Sequence, residues 1–405
     1  MPAQSFGKPA QTLVRAYLVA LLLSLYVTGV LMLRGGRNWG YGDWLINYEG
    51  GFIRRGLMGE IALLLGRLTH ADPIYFVALI GLLCYTVIFY KVWQLLPRSS
   101  WQWWVIALLV SPLTLAFPVV SRTSFRKEIL YYALFASLLV WLLRNKRNGT
   151  LDSAKDWKLA AALSIAFPFL VLVHEPLMEY FFPYTAAALL IFLGDWKRVF
   201  RILLVPAILC AIEVPFVVTH FGTPDQVAVI CASIGSPDVT QCSEAVRIVA
   251  QTKQEALDDV ARFTRQYHYY PHYTFAVLMA LIPFVGAWRE LSRQPELKRT
   301  LRILLVAFCV AGLWCTTLFH YGIDWGRWIN MHTVSLCLLL LAVDADRRKP
   351  LPEAAPASPW PHRLAGASLF LYAISWSAPG VKDKPVFGYL ELGNRIVHWN
   401  GSLTN

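Results

Sequence analysis

Acidic and histidine side chains stand at positions where proton transfer is the chemistry they could perform. Asp43 and Glu49 follow the first apolar run, Asp324 lies between two later runs, and His174 ends another. A carboxylate at the edge of a low-dielectric helix bundle can have a raised pKa, or it can stay ionised beside an arginine. Pairing with a local arginine or capping of a helix explains each carboxylate equally well. His174 is either a base or a hydrogen-bonded boundary residue.

Basic residues accompany these acids in the same short segments. The planar, permanently charged fork of arginine suits phosphate recognition, so the segments predict a phosphate-binding set. Local ion pairing with the neighbouring carboxylates is the alternative, and Asp324 with Arg327 has the i,i+3 spacing of a helical salt bridge. The predicted phosphate-binding residues are Arg54, Arg55, Arg122, Arg126, Lys127 and Arg327.

The elements that position these residues are membrane helices. The chain of 405 residues is 57% hydrophobic and 15% charged, with a mean hydropathy of +0.48, whereas soluble domains hold about 25% charged residues. Windows of roughly 20 apolar residues predict an all-α polytopic bundle of about eleven helices that forms a single integral membrane domain over residues 1–405. The first run, Thr12–Leu33, is expected to be a retained helix and not a cleaved signal. The predicted helices lie near 12–33, 73–96, 101–120, 128–143, 159–173, 177–194, 202–220, 273–288, 302–320, 329–343 and 363–378.

The distribution of basic residues predicts the topology. Four loops rich in Lys and Arg belong in the cytoplasm by the positive-inside rule, which places the N-terminus inside and the C-terminus outside. The net charge of +12 is then a topology signal and does not indicate nucleic acid. The outer regions are 34–72, with an amphipathic, interfacial segment at 57–70, then 221–272 and the tail 379–405. The four basic loops are Arg144–Lys158, Asp195–Arg201, Arg289–Arg302 and Asp344–Arg363.

The outer loop 221–272 contains two isolated cysteines. Cys231 and Cys242 are predicted to form a disulfide, because an oxidising compartment allows one to persist; two free thiols are the alternative. An apolar stripe over Ser243–Arg265 predicts a helix that lies against the bundle or membrane, or forms a solvated lid. Neither the cysteine spacing nor His174-Glu175 matches a metal motif, so we expect no metal and no cofactor.

The unusual polar motifs all fall on the outer face in this topology, so they form one candidate site. The Asp43 loop followed by the amphipathic segment 57–70 resembles the layout of GT-C-type glycosyltransferases, which use polyprenyl-phosphate-linked sugars. The outer Arg and His residues are similar to those of Wzy-type polysaccharide polymerases and O-antigen ligases. The resemblance implies a lipid-linked sugar donor and an acceptor as partners, with Asp43 as general base. It implies a phosphate clamp of Arg54, Arg55, Arg122 and Arg126.

Three classes of function follow from these features. The first is a glycosyltransferase or polysaccharide polymerase at the periplasmic face of a bacterial inner membrane, in contact with membrane lipids and other envelope-glycan assembly proteins. The second is a transporter or flippase, which the intramembrane Glu213 between Pro206 and Pro215 favours. The third is a non-catalytic scaffold of an envelope complex, whose loop carboxylates would tolerate substitution.

Overall fold

The computed structural model describes residues 5–6, 8–34, 39–96, 101–121, 124–347 and 359–378. The first and last residues of the helices within these ranges follow from the hydrogen-bond pattern. They are α1 (Lys8–Arg34), α2 (Trp39–Trp44), α3 (Leu57–Thr69), α4 (Pro73–Leu95), α5 (Trp103–Val110), α6 (Phe117–Val120), α7 (Glu128–Arg147), α8 (Asp156–Val173), α9 (Met178–Leu193), α10 (Trp196–Thr219), α11 (Pro224–Ser233), α12 (Glu244–Arg247), α13 (Lys253–Gln266), α14 (Tyr269–Leu291), α15 (Lys298–Trp314), α16 (Thr316–Tyr321), α17 (Trp325–Asp346) and α18 (Pro359–Ile374).

The described helices confirm the predicted all-α, multi-pass membrane fold. Nine helical segments among them are long and apolar enough to cross a membrane. The other two predicted crossings are not continuous helices of that length in the described part of the chain. Residues 101–120 are interrupted, and the apolar part of α18 covers only Leu364–Ile374. The prediction of a continuous helix over 101–120 is therefore wrong.

Residues 101–120 cross the bundle as a broken segment. Two-residue strands, β1 (Ser5–Phe6) and β2 (Trp101–Gln102), pair antiparallel and fix its start beside the beginning of α1. Helix α5 stops before Ser111-Pro112, because the residue before a proline is disfavoured in helical conformation. The freed carbonyl of Leu113 accepts hydrogen bonds from Asn330 Nδ2 at 3.0 Å and from the hydroxyl of Thr333. Side chains of α17 thus satisfy the irregular backbone, which an apolar interior requires.

The most buried helix is α17, in which 89% of the most apolar stretch is buried. It packs against α4, α5, α7, α9, α14 and α15. In contrast, only 22% of the corresponding stretch is buried in α1, α10 and α15, so these helices form the periphery. The first residues of α17 consequently lie at the centre of one end of the bundle. We refer to the end where α1 finishes and α7 and α17 begin as the site end.

The predicted cytoplasmic loops all lie together at the opposite end. At that end α7 contacts α17, α8 contacts α10, and the start of α15 contacts the end of α9. Direct contacts therefore link the described parts of all four loops. This grouping agrees with the predicted topology, while the compartment that each end faces stays a prediction. The contacts are Lys146–Asp346 at 2.6 Å, Arg198–Asp156 at 2.7 Å and Arg299 to the carbonyl of Gly194 at 2.8 Å.

A disulfide-linked cap covers part of the site end. It comprises α11, α12, α13 and two short 3₁₀ turns, and the Cys231–Cys242 disulfide that the sequence predicts joins its first two parts. The single helix predicted over Ser243–Arg265 is wrong: α12 and α13 are separate, because the Thr252 hydroxyl and the Glu255 side chain form a capping box that begins α13. The loop predicted to run to residue 272 ends earlier, at the start of α14.

The segment predicted as amphipathic, residues 57–70, is helical as α3. Its thirteen residues extend about 20 Å at 1.5 Å per residue, which is shorter than the hydrocarbon core of about 30 Å. One face, which includes Met58 and Ala62, is buried against the bundle, while Leu64 and Leu68 are exposed. A helix of this length with an apolar outer face is suited to the membrane interface.

Candidate functional site

A buried ion cluster occupies the site end, where five separate segments of chain converge. The segments are α2, the loop before α3, the loop before α7, the turn between α8 and α9, and the first turn of α17. They bring together side chains that are far apart in sequence. The members of the buried ion cluster are Asp43, Arg54, Arg55, Arg126, Lys127, Glu128, His174, Glu175, Asp324 and Arg327.

Asp43 enters the cluster from α2. This short helix is held by Tyr41, whose hydroxyl donates to the carbonyl of Gly29 at 2.9 Å, and by Trp44, whose indole donates to the carbonyl of Phe125 at 2.5 Å. Burial by itself would raise the pKa of Asp43, but the nearby cations, Lys127 foremost, lower it to about 2. Asp43 is therefore an ionised counter-ion at neutral pH and a weak base.

Arg55 and Glu175 form a two-pronged ion pair. The Nε of Arg55 lies 2.9 Å from Glu175 Oε2, and its Nη2 lies 2.7 Å from Oε1. Arg54 also reaches the same carboxylate, with Nη1 3.7 Å from Oε1. Arg55 has a left-handed backbone with a φ of 68°, which is uncommon outside glycine. Its carbonyl accepts a hydrogen bond from Lys127 Nζ at 2.8 Å, so the strained turn is tied to the adjacent loop.

Lys127 is fully buried, with 0% of its side chain exposed. Its Nζ lies 3.9 Å from Asp43 Oδ1, a distance that gives attraction without a hydrogen bond. Burial lowers the pKa of Lys127 to about 8, although Asp43 opposes this shift. The ammonium group thus stays charged at neutral pH, although the Asp43 carboxylate lies too far from it for a hydrogen bond.

Arg327 links the two acidic groups at the centre of the cluster. Its guanidinium pairs with Glu128 at the first residue of α7 and with Asp324 at the start of its own helix. Arg126 approaches Asp324 from the other side, with Nη2 3.3 Å from Oδ2. Both carboxylates lie at helix N-termini, where the helix dipole favours negative charge.

His174 ends α8 and is enclosed by the cluster. Only 2% of its surface is exposed; Nε2 lies 3.9 Å from Glu128 Oε1, and the ring stacks near Trp328 at a centroid distance of 6.1 Å. Burial and then the surrounding cations, Arg55 first, lower its pKa well below the ordinary value. Within the described ranges neither ring nitrogen has a hydrogen-bond partner. His174 is therefore a neutral imidazole with unused hydrogen-bonding capacity.

Phe125 fixes the loop that delivers Arg126 and Lys127. Its φ of 60° is strained for a bulky residue, and two hydrogen bonds hold it, from Trp44 to its carbonyl and from its amide to the Tyr85 hydroxyl at 3.1 Å. Its ring needs the absence of a side chain at Gly81, where a Cβ would lie 2.6 Å from Phe125 Cδ1. The cationic loop is thus positioned by tight packing.

The cap rests directly on α2. A Cβ on Gly42 would lie 1.9 Å from the Ser243 hydroxyl, so the residue before Asp43 and the residue before α12 are in close contact. Cys242 precedes Ser243, and its disulfide to Cys231 connects α12 to α11. The Cys231–Cys242 disulfide therefore supports the helix that holds Asp43.

The structure brings together most of the residues predicted from the sequence. Glu49 is the exception: it pairs with Arg67 of α3 at 2.7 Å, outside the cluster. Arg122 lies outside the described residues, as does the predicted outer tail 379–405. Glu128 and Glu175 lie in the predicted polar turns, beside Lys127 and His174, but the sequence assigns neither of them a catalytic or binding role. Among the described residues no group of three or more His, Cys, Asp or Glu side chains is placed to hold a metal ion.

The cluster contains more positive than negative charge. Its described members include one more cation than carboxylates, and His174 is neutral. Three guanidinium Nε atoms, those of Arg54, Arg126 and Arg327, are buried without a hydrogen-bond partner among the described residues. Buried donors of this kind carry a desolvation cost, which an anionic or hydroxyl-bearing ligand would offset.

Comparison with curated proteins gives no match, and comparison with solved structures gives none either. A family model described as "Uncharacterised membrane protein Rv1490" matches residues 13–280. This range is more than half of the 405 residues, and it includes Asp43, Lys127 and His174 but ends before Arg327. The chain therefore belongs to the family of uncharacterised membrane proteins Rv1490.

Proposed function

We propose that the chain is a membrane glycosyltransferase or polysaccharide polymerase of the bacterial inner membrane. In this proposal it acts at the periplasmic face on polyprenyl-(pyro)phosphate-linked sugars in cell-envelope or exopolysaccharide assembly. The observation that carries the proposal is the buried ion cluster, whose described members have an excess of one positive charge and include three guanidinium Nε atoms without a partner among the described residues. The resemblance to GT-C-type and Wzy-type enzymes supplies the reaction class.

The chemistry of the cluster supports a phosphate-bearing ligand. Burying a charge is costly unless a partner neutralises it, and a phosphate would supply both the missing negative charge and acceptor oxygens. Arginine forms bidentate, charge-assisted hydrogen bonds to phosphate. The N-termini of α7 and α17 point their positive ends toward the same place, which adds to the attraction.

The surface beside Arg54 supports a lipid-linked ligand. The Arg54 guanidinium lies 4.4 Å from the centre of the Phe221 ring at the end of α10. Phe221 is 44% exposed and Phe216, one turn earlier, is 51% exposed. An apolar surface on a peripheral helix, directly adjoining a cationic pocket, suits a molecule with a hydrocarbon tail and a phosphate head. The ligand would then enter sideways from the membrane.

In the transfer reaction, the cations would stabilise the departing phosphate. Negative charge develops on the phosphate oxygen as its bond to the sugar breaks, and preorganised donors in a dry site stabilise such charge strongly. Lys127 and Arg327 are the most deeply buried cations of the cluster, and together with Arg55 they are the residues proposed for this role. Asp43 and Glu175 would keep them oriented and charged while the site is empty.

The test compares bacteria that carry the gene with a deletion strain of the same species. The readouts are envelope and secreted glycans, and the pool of lipid-linked intermediates, both measured by mass spectrometry. We expect the deletion to remove a glycan product and to accumulate a lipid-linked precursor, and the wild-type gene to reverse both changes. Identical glycans and precursors in the two strains would overturn the proposal.

Variants of the cluster make the test specific. We expect Arg55→Gln and Lys127→Met each to reduce product at least about 100-fold, the usual effect of removing one electrostatic contributor. Arg67→Gln is the matched control, because Arg67 is a partly exposed arginine on the same face that pairs with Glu49 outside the cluster. Full activity in both cluster variants, at normal protein levels, would contradict a phosphate site here.

A transporter or flippase for a lipid-linked or phosphate-bearing substrate is the second candidate. The broken crossing at 103–120 favours it, since discontinuous helices often form the binding sites of transporters. Its irregular backbone at Leu113 lies next to Asn330 of α17, within a turn of Arg327. A fluorescent polyprenyl phosphate in proteoliposomes, quenched from outside by dithionite, tests this function. Protein-dependent quenching of the inner leaflet without glycan transfer would favour the transporter.

A further inference from the structure

A small cavity adjoins the buried ion cluster on its inner side. Segments from α4, α6, α7 and α17 surround it, and its volume is about 20 Å³. A space of that size admits one water molecule or one hydroxyl group. Its polar lining residues are Tyr85, Arg126, Glu128, Tyr132, Arg327 and Asn330.

The open hydrogen-bonding positions of the cavity are those of three charged residues. Glu128 is only 4% exposed; Oε1 pairs with Arg327, whereas Oε2 has no partner among the described residues. The Nε atoms of Arg126 and Arg327 are likewise unpartnered there. The other polar lining side chains already have partners. The Tyr132 hydroxyl donates to Asn330 Oδ1 at 2.9 Å, Asn330 Nδ2 donates to the carbonyl of Leu113, and the Tyr85 hydroxyl accepts from the amide of Phe125. The charged residues of the lining therefore offer one acceptor and two donors without a partner among the described residues.

This combination selects a neutral group that both donates and accepts hydrogen bonds. A phosphate or carboxylate in the cavity would face the Glu128 carboxylate, and an ammonium group would face two guanidinium groups. A hydroxyl group can donate to Glu128 Oε2 and accept from an arginine Nε–H, which satisfies buried atoms that are otherwise costly. Water and an alcohol share this chemistry, so the cavity is suited to either.

We propose that the cavity binds the acceptor hydroxyl of the transfer reaction and that Glu128 is the residue that takes its proton. This inference rests on the proposed glycosyltransferase function. The hydroxyl oxygen forms the new bond to the anomeric carbon of the donor sugar. The bond from that carbon to the phosphate oxygen breaks, its electron pair leaves with the phosphate, and the hydroxyl proton passes to Glu128 Oε2. Arg126 and Arg327 hold the hydroxyl and face the departing phosphate.

The position of the cavity moves the role of general base from Asp43, the residue predicted from the sequence, to Glu128. Both carboxylates are buried near cations and have one oxygen without a partner among the described residues, but Glu128 lines the cavity and Asp43 does not. Glu128 lies at the junction of the cluster and the cavity, 3.9 Å from His174 Nε2. A group at that junction can contact the acceptor while the cations of the cluster contact the phosphate.

The experiment uses the full-length chain and two independent substitutions. Glu128→Gln keeps the size of the side chain but removes its capacity to accept a proton. Ile129→Phe fills the cavity from its apolar wall, where Ile129 is buried, and leaves the Glu128–Arg327 pair in place. We expect each variant to lower glycan product in the complemented deletion strain at least about 100-fold, the usual contribution of a positioned base.

Donor binding is the second measurement and shows whether each variant is folded. The purified protein in nanodiscs is titrated with undecaprenyl phosphate and followed by native mass spectrometry. We expect both variants to bind it within about threefold of wild type, because the Arg54, Arg55 and Lys127 side is unchanged. Glu179→Gln is the matched control, since Glu179 is a similarly buried carboxylate away from the cavity, hydrogen-bonded to Thr317 at 2.9 Å; product should be unchanged.

The outcomes distinguish the two proposals. If the wild-type gene restores no glycan product, the proposed function fails and this inference fails with it. If wild type restores product and both Glu128→Gln and Ile129→Phe do so equally, the cavity holds water only and the inference alone is overturned. Loss of product with retained undecaprenyl phosphate binding supports the acceptor site. If one variant loses product and undecaprenyl phosphate binding together, the other variant decides: loss of product alone supports the acceptor site, and unchanged product overturns it. If both variants lose product and binding together, the separation of donor and acceptor positions is overturned.

Discussion

Removing the Glu175 carboxylate should expose how the buried ion cluster balances its charges. In the substitution Glu175→Gln an amide of nearly equal volume replaces the acceptor of three Arg55 contacts between 2.7 and 3.1 Å. The Arg55 guanidinium then stays largely buried beside Lys127 without its counter-ion. The hydrogen bond from Lys127 is unaffected, since it goes to the backbone carbonyl of Arg55.

The expected cost follows from the burial of the pair. Breaking a buried ion pair by removing one partner lowers the free energy of unfolding by about 3–5 kcal/mol. The side chains of Arg55 and Glu175 keep 20% and 10% exposure, so we expect the lower end, about 3 kcal/mol. Replacing both residues, as Arg55→Met with Glu175→Gln, removes the unpaired charge. The loss in the free energy of unfolding should then be smaller than the sum of the two single losses by about 1.5 kcal/mol or more, which is within the usual range for contacting residues.

Equilibrium unfolding in mixed micelles with rising dodecyl sulfate measures these values. The chain has 16 tryptophans, so intrinsic fluorescence follows the transition. The exposed pair Arg67–Glu49 provides the control, and Arg67→Gln should give no measurable change because solvent screens it. Additivity of the two single changes within about 0.5 kcal/mol would refute the reasoning, since it would mean that Arg55 does not depend on Glu175.

Three further perturbations test other parts of the site. Burial lowers the pKa of Lys127 from 10.5 to about 8. Between these two pH values the unfolded chain binds more protons than the folded chain, so the free energy of unfolding should rise by about 3 kcal/mol as the pH increases across that window. Undecaprenyl phosphate binding should weaken over the same window, and both trends should be absent in Lys127→Met. Gly81→Ala should push Phe125 and lower the free energy of unfolding by about 1–3 kcal/mol, whereas Gly312→Ala, with open space around it, should not. Reduction of the Cys231–Cys242 disulfide, a cross-link that typically contributes about 2–4 kcal/mol of stability, should speed limited proteolysis of the cap and weaken undecaprenyl phosphate binding. Unchanged cleavage and binding would contradict the support of α2 by the cap.

The sequence predicts the membrane fold well because composition and hydropathy report it directly. Long apolar runs separated by basic loops define helices such as α4 and α8 without further information. The broken crossing at 101–120 could not be predicted in the same way, since its apolar residues satisfy any hydropathy window. Whether Pro112 interrupts the helix depends on the acceptor and donor groups available nearby, and those come from Asn330 and Thr333, more than 200 residues away.

The candidate site was partly predictable for a related reason. Residues such as Arg55 and Asp324 are conspicuous because charged side chains beside Gly and Trp are unusual at the end of an apolar run. The sequence places Glu128 and Glu175 in the same polar turns but assigns them no role, since a carboxylate in a first helical turn is also explained by the helix dipole alone. Their importance comes from their partners, Arg327 and Arg55, and pairing across distant segments is a property of the folded chain.

Folding alone gives no reason for the buried ion cluster. Apolar side chains of similar volume in place of a buried ion network are often as stable or more stable, and the buried residues of α17 beyond its first turn, 329–343, include no Asp, Glu, Lys or Arg. The cluster also has strained backbone on both sides, at Arg55 and Phe125, which is a feature of functional sites. An arrangement that has buried donors without a partner among the described residues and that adjoins both an exposed apolar surface and a hydroxyl-sized cavity is explained by a ligand that completes it.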